Sequence, residues 1–125
     1  MMIKQLVYVF LGGGLGACLR FAISVWTPNN TTFPWATFLA NMGGCLLIGL
    51  FSGYFLRETS LRTEMSLFLI TGFCGGFTTF STFSNENLAL WKAQQYSHLF
   101  LYNLGSIGIG LIFVALGYFL SKYLG

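Results

Sequence analysis

The stretch TGFCGGFTTFSTFS, residues 71–84, lies inside a long apolar segment and decides the fold. Glycines and hydroxyl side chains alternate with phenylalanines, and this composition weakens a helix. A helix at membrane depth can be broken only where the freed backbone is buried in protein or lines water. We therefore predict that this segment unwinds near residues 75–79, and that the freed carbonyl oxygens can hold a hard cation such as Na⁺. Without a carboxylate, Mg²⁺ or Ca²⁺ is a poorer match.

The rest of the chain is also apolar. Of its 125 residues, 55% are hydrophobic and 7% are charged, against about 25% charged residues in soluble domains. A span needs about 20 apolar residues, and the sequence predicts an all-α membrane protein with spans at about 5–25, 34–56, 65–90 and 99–121. The net charge of +3 is too small and too scattered for a nucleic-acid surface.

Basic residues are distributed with only a small bias between the two ends of the predicted bundle. Four spans place both termini on one side, and the positive-inside rule then compares the basic residues of the two sides. The side of the termini carries Lys4, Arg57, Arg62 and Lys122, and the other side carries Arg20 and Lys92. So weak a bias permits insertion in both orientations and predicts an antiparallel homodimer. A single orientation with cytoplasmic termini is the alternative.

Several polar side chains lie within the predicted spans, where they need partners. Asn41 is either a hydrogen-bonding contact between helices or a donor that lines a pore. Arg20 either reaches the headgroups or attracts an anion into a vestibule. Tyr102 and Ser106 are four residues apart and share a helix face; they bond either to an ion or to another helix. Glu86 is interpreted as a solvated carboxylate at the membrane interface, with a role at a pore mouth as the weaker alternative.

Aromatic and small residues also follow helical spacing. If the third span is helical, Phe73, Phe77, Phe80 and Phe83 share one face. Such a stripe usually packs in a core or against lipid, but the electropositive edges of the rings could also border a narrow path for a small anion. Gly12 and Gly16, also four residues apart, predict a close helix contact.

In three motifs, the chain resembles the Fluc (CrcB) family of fluoride channels, and the resemblance covers the whole chain. The motifs are GGGLGACLR at 12–20, NMGGC at 41–45 and GFCGGFTTFSTF at 72–83. The resemblance implies passive export of fluoride across a prokaryotic inner membrane by a dual-topology antiparallel homodimer with two pores. It also implies a structural Na⁺ at the dimer centre, held by the backbone carbonyls of Gly75 and Thr78 from both subunits.

The same resemblance implies a set of residues along each pore. Phe80 and Phe83 would supply ring edges, Asn41 its amide, and Arg20 would lie by an entry vestibule. The remaining members would form a track of hydroxyl donors: Tyr102, Ser106, Thr82 and Thr37. Some relatives carry a hydroxyl where this chain has Gly110, so the track is expected to be shorter here.

Other classes fit the sequence less well. A small dual-topology multidrug transporter needs a carboxylate in its first span, and this chain has no Asp or Glu between Met1 and Leu56. A structural subunit would not explain the alternation of hydroxyls and phenylalanines. A membrane enzyme would need clustered acids and bases, and only Glu86 and His98 approach that description. The three cysteines are interpreted as small buried hydrophobes.

Overall fold

In the computed structural model, which describes residues 1–28, 30–57 and 62–124, the chain consists of helices joined by short turns. Helix α1 is Met2–Trp26 and α2 is Trp35–Arg57. Helix α3 has three consecutive segments, Arg62–Ser66, the π-helical Leu67–Cys74 and Gly75–Phe77. Helices α4, Ser81–Lys92, and α5, Tyr96–Leu120, follow, and a 3₁₀ turn, Ser121–Tyr123, ends the described chain.

Among the described residues, four helical stretches are long and apolar enough to cross a membrane: Met2–Trp26, Trp35–Arg57, Thr63–Lys92 and Tyr96–Tyr123. The prediction of an all-α protein with four spans and a broken third helix is therefore confirmed. α3 and α4 are the two halves of the third span. The helix ends at Phe77, because Thr78 has an extended backbone with ψ of 159°, and it starts again at Ser81. The break thus occupies residues 78–80, at the end of the stretch in which it was predicted.

Glycines let α1 and α3 pack backbone to backbone. A Cβ on Gly12 would collide with the carbonyl of Phe68, and a Cβ on Gly16 would collide with the carbonyl of Phe73. From the other side, Gly76 lies against the Gly13 carbonyl. The close contact predicted from the spacing of Gly12 and Gly16 is therefore confirmed, and it holds the first half of the broken helix against α1.

A second pair of helices, α2 and α5, packs in the same way. Gly49 lies against the carbonyl of Val114, and Gly117 lies against the carbonyl of Leu46. Near the end of this pair, Gly53 makes room for the buried side chain of Ser121, whose hydroxyl accepts a hydrogen bond from Arg57 at 2.9 Å. The fold is thus two glycine-packed helix pairs, α1 with α3 and α2 with α5, and α4 extends from the break towards α5.

Charged groups gather at the end of the bundle that carries both termini. Lys4 pairs with Glu64 at 2.8 Å, and the Tyr8 hydroxyl donates to the same carboxylate at 3.2 Å. Residues 58–61 of the charged loop and the side chain of Arg62 lie outside the described part of the chain.

Large apolar side chains cover much of the outer surface, including Phe10, Phe21 and Leu111. Such a surface suits lipid, and the chain is an integral membrane protein.

Candidate functional site

The break in the third span is held in place by Asn41 of α2. The Asn41 side chain accepts a hydrogen bond from the backbone N–H of Thr79 at 2.8 Å and donates one to the Thr79 carbonyl at 3.2 Å. Both polar groups of one unwound residue are thereby satisfied by one amide. A primary amide has two N–H donors, so this arrangement leaves the second N–H for another partner.

Two further residues fix the break from the helices on either side. On the α1 side, Arg20 donates from Nε to the Gly76 carbonyl at 3.2 Å. On the α2 side, Gly44 leaves room for the Thr78 methyl group, which a Cβ would strike. Arg20 therefore does more than reach the headgroups, because its guanidinium is committed in part to the backbone of the broken helix.

The break removes the usual hydrogen-bond donors of two carbonyl oxygens. In an unbroken helix, the Gly75 carbonyl would accept from the N–H of Thr79, and the Thr78 carbonyl from the N–H of Thr82. Here the Thr79 N–H bonds to Asn41 instead, and the Thr82 N–H bonds to the Thr79 hydroxyl at 3.1 Å. The carbonyl oxygens of Gly75 and Thr78 are thus available to bind a hard cation. They are the two oxygens that the family resemblance implies as Na⁺ ligands.

An open cavity of about 570 Å³ lies beside the break, between α2, α3, α4 and α5. It is lined by six of the residues predicted for ion binding: Asn41, Gly75, Thr78, Phe80, Phe83 and Ser106. The other predicted residues, Arg20, Thr37, Thr82 and Tyr102, are not among those that line it. Residues of α2, the break, α4 and α5 that are as far apart in sequence as Asn41 and Ser106 thus line one cavity.

The break divides the phenylalanine stripe into two pairs. Phe73 and Phe77 stack on α3 with ring centroids 5.6 Å apart, and Phe77 is buried. Phe80 and Phe83 form a separate tilted pair, with centroids 5.9 Å apart, at the break and in the first turn of α4. The single face expected for a continuous helix is therefore absent, since residues 78–80 are not helical. Phe80 is 78% exposed.

Glu86 lies in a hydrogen-bonded cluster, and the prediction of a solvated interfacial carboxylate is wrong. Its two oxygens accept from different hydroxyls, Oε1 from Tyr102 at 2.7 Å and Oε2 from Thr37 at 2.9 Å. Tyr102 is fully buried. The next residue of α4, Asn87, accepts a hydrogen bond from Asn103 at 2.6 Å. An intramembrane carboxylate needs partners, and this rule was the available sequence signal for the cluster.

The remaining predicted donors lie along α5 and at the start of α4. Tyr102 contacts Phe83 with centroids 4.8 Å apart, so the Glu86 cluster adjoins the cavity. Ser106, one turn beyond Tyr102, has a buried hydroxyl oxygen that makes no hydrogen bond within the described part of the chain. Thr82 contributes its backbone N–H to the break. A Cβ on Gly110 would lie 3.4 Å from the sulfur of Cys45.

Comparison with known proteins gives a consistent result along the whole chain. The family model described as CrcB-like protein, Camphor Resistance (CrcB), matches residues 7–118. A protein of Flavobacterium psychrophilum named Fluoride-specific ion channel FluC is 46% identical over 123 residues, which is 97% of this chain and 99% of the relative. A protein of Phocaeicola vulgatus with the same name is 46% identical over 95% of this chain and 99% of its own length. The protein of Bacillus subtilis named Fluoride-specific ion channel FluC 2 is also 46% identical, over 91% of this chain and 85% of its own length.

Proposed function

Because the chain belongs to the CrcB-like family, we propose that it is a fluoride-selective channel through which fluoride leaves the cell passively. The bacterial relatives support a place in the inner membrane. A channel moves its ion down a gradient without a chemical step, so the function is transport and not catalysis. The observation that carries the proposal is the cavity beside the break, where an amide, a hydroxyl and two phenylalanines converge.

The chemistry of this lining suits a small, strongly hydrated anion. The second N–H of Asn41 and the hydroxyl of Ser106, whose oxygen has no hydrogen-bond partner among the described residues, can replace water molecules around the ion. The electropositive edges of Phe80 and Phe83 add weak attraction. Many weak contacts allow an ion to enter and still to leave, whereas a lysine in the same place would trap it. We assign these four residues, with Tyr102, Thr82 and Thr37, to the fluoride pathway, and Arg20 to its entrance.

A second copy of the chain completes the site in this proposal. Phe80 is mostly exposed at the mouth of the cavity, and a ring flanked by polar groups is a poor surface for lipid. An antiparallel homodimer would place two such cavities against each other and give two pores. The weak charge bias between the two ends supports this arrangement, since it favours neither orientation strongly.

The carbonyls of Gly75 and Thr78 would hold a structural Na⁺ at the centre of this dimer. They fit that ion because the break has removed their hydrogen-bond donors and because carbonyl oxygens at a helix break are typical Na⁺ ligands. With both subunits contributing, four oxygens would surround the ion. The bound Na⁺ would link the two broken helices. Its positive charge would offset the repulsion between the carbonyl oxygens that converge on the site.

Fluoride efflux from vesicles tests the proposed function directly. Purified protein is reconstituted into liposomes loaded with potassium fluoride, and efflux is started with valinomycin and followed with a fluoride electrode. We expect rapid loss of fluoride and, in parallel vesicles loaded with potassium chloride, retention of chloride. Protein-free liposomes are the control.

The same assay distinguishes the alternatives. A multidrug transporter would leave fluoride inside and would exchange a cationic substrate for protons, and a structural subunit would do neither. Retention of fluoride by vesicles that contain dimeric protein would overturn the proposal.

A further inference from the structure

The cluster of Glu86, Thr37 and Tyr102 presents an electrostatic conflict. Thr37 and Tyr102 are proposed as donors to fluoride, yet both of their hydroxyls donate to the Glu86 carboxylate, at 2.9 and 2.7 Å. A carboxylate is an anion that accepts hydrogen bonds. It therefore occupies the donors in the way that a fluoride ion would occupy them.

The cluster is placed where an ion leaving the cavity would reach it. Tyr102 contacts Phe83, a residue of the cavity wall, with centroids 4.8 Å apart. Glu86 is three residues after Phe83 and therefore lies near the same face of α4. The Tyr102 ring is also met edge-on by Phe33, with centroids 5.4 Å apart. The hydroxyl pair is thus the next set of donors beyond the phenylalanine pair.

Two roles of Glu86 are consistent with this geometry, and they predict effects of opposite sign. If the carboxylate only orients the two hydroxyls, its loss disorders the donors and weakens fluoride binding. If it competes with fluoride, its loss frees the donors and removes a repelling charge, so binding strengthens. The Glu86 residue is only half-buried, whereas Tyr102 is fully buried. The carboxylate is therefore the partner with room to move.

We propose that Glu86 is a tethered competitor of fluoride. Its carboxylate occupies the hydroxyls of Thr37 and Tyr102 when this end of the pathway is empty, and fluoride enters by displacing it from them. The inference rests on the proposed function and adds to it a residue that sets the fluoride concentration at which the channel fills. Because the carboxylate is part of the protein, it returns to the hydroxyls when the ion departs, and so it also favours release.

The experiment compares Glu86→Gln with the wild type in the liposome assay over a range of fluoride concentrations. An amide is a neutral and weaker acceptor than a carboxylate. We therefore expect the fluoride concentration for half-maximal efflux to fall by about tenfold, the size expected when a charge-assisted hydrogen bond becomes a neutral one. Glu64→Gln is the matched control: that carboxylate also accepts from a tyrosine, Tyr8, but lies at the charged end near Lys4. It should leave the concentration unchanged.

A background that lacks one hydroxyl sharpens the test. In Thr37→Val the carboxylate has lost one of the donors for which it competes, so the gain from Glu86→Gln should be smaller there than in the wild type. If Glu86→Gln does not elute as a dimer, Glu86→Asp replaces it, because a side chain shorter by one methylene keeps the charge but cannot reach both hydroxyls. The Asp variant should also lower the half-maximal concentration.

An unchanged or raised half-maximal concentration in a folded Glu86 variant would overturn the inference and assign Glu86 the orienting role. An equal gain in the Thr37→Val background would also overturn it. Wild-type vesicles that release no fluoride would instead overturn the proposed function, so the two failures are distinguishable.

Discussion

At the scale of single residues, the break depends on side chains that replace a helix's own hydrogen bonds. Asn41 accepts from and donates to the Thr79 backbone, and Arg20 donates to the Gly76 carbonyl. Sequence left two roles open for each of these residues, because an intramembrane amide or guanidinium only shows that a partner is needed. The identity of the partner depends on which backbone the fold brings near, and spacing along one helix does not contain that information.

The ring-edge role of Phe80 and Phe83 gives a prediction at this scale. Replacing either with Ile removes the electropositive edge but keeps an apolar side chain. An aromatic contact contributes about 0.5–1.5 kcal/mol. Its loss should therefore slow fluoride efflux by up to about tenfold, while gel filtration still shows the dimer. Phe10→Ile is the matched control, since Phe10 is as exposed as Phe80, at 78%, but lies on α1 away from the cavity. Wild-type efflux in both Phe80→Ile and Phe83→Ile would count against the role.

At the scale of helices, glycines determine how closely each pair packs, and the break follows from that packing. Helix α3 can end at Phe77 because Gly12, Gly16 and Gly76 hold α1 against the turns just before it. The eight π-helical residues, Leu67–Cys74, widen the helix along the same contact. Such π-turns are typical of functional sites. The sequence predicted the close contact from the i, i+4 glycines, but the π-turns had no signal in the residue spacing.

Alanine substitutions on α1 test this packing, since the helix carries glycines in both kinds of surroundings. A Cβ on Gly16 would strike the Phe73 carbonyl and lie 2.7 Å from the Phe77 nitrogen, whereas a Cβ on Gly14 meets nothing within 4 Å. Gly16→Ala should lower stability by roughly 1–3 kcal/mol. Gly14→Ala should be neutral or stabilising, because alanine is the better helix former. Thermal unfolding in detergent, followed by tryptophan fluorescence, measures both. A Gly16→Ala protein that melts with the wild type would show that α1 and α3 are not so closely packed.

At the scale of the whole molecule, hydropathy predicted the architecture well because lipid leaves few choices to a chain this apolar. The number of spans followed from composition, and the broken third span followed from the motif at 71–84. The pore roles of Asn41 and Ser106, which line the cavity, were implied only by the resemblance to the Fluc family and stay predictions.

The Glu86 cluster did not follow from composition or motif, because it joins α2, α4 and α5 through Thr37, Glu86 and Tyr102. From sequence, Glu86 alone was interpreted as interfacial, and nothing linked it to Thr37 or Tyr102. Only the packing of three helices shows that the carboxylate is shared.

The antiparallel dimer is the whole-molecule property that remains a prediction, and it can be tested through orientation. In a variant with Cys18, Cys45 and Cys74 replaced by Ala, Tyr123→Cys places one thiol near the C-terminus, where the tyrosine is 88% exposed. Retained fluoride efflux is the control for folding. A membrane-impermeant maleimide should label part of the protein in intact cells and the rest only after lysis, because the four-to-two charge count leaves the chain free to insert both ways.

A matched variant shows whether charge sets that balance. Gln95→Lys adds a positive charge at the exposed turn between α4 and α5, at the end opposite the termini. Since basic loops stay in the cytoplasm, the added lysine should hold this turn inside and shift the C-terminal thiol towards external labelling. Labelling of the Tyr123→Cys protein from one side only would contradict the antiparallel dimer. All subunits would then have the same orientation in the membrane, whereas an antiparallel dimer needs one subunit in each orientation.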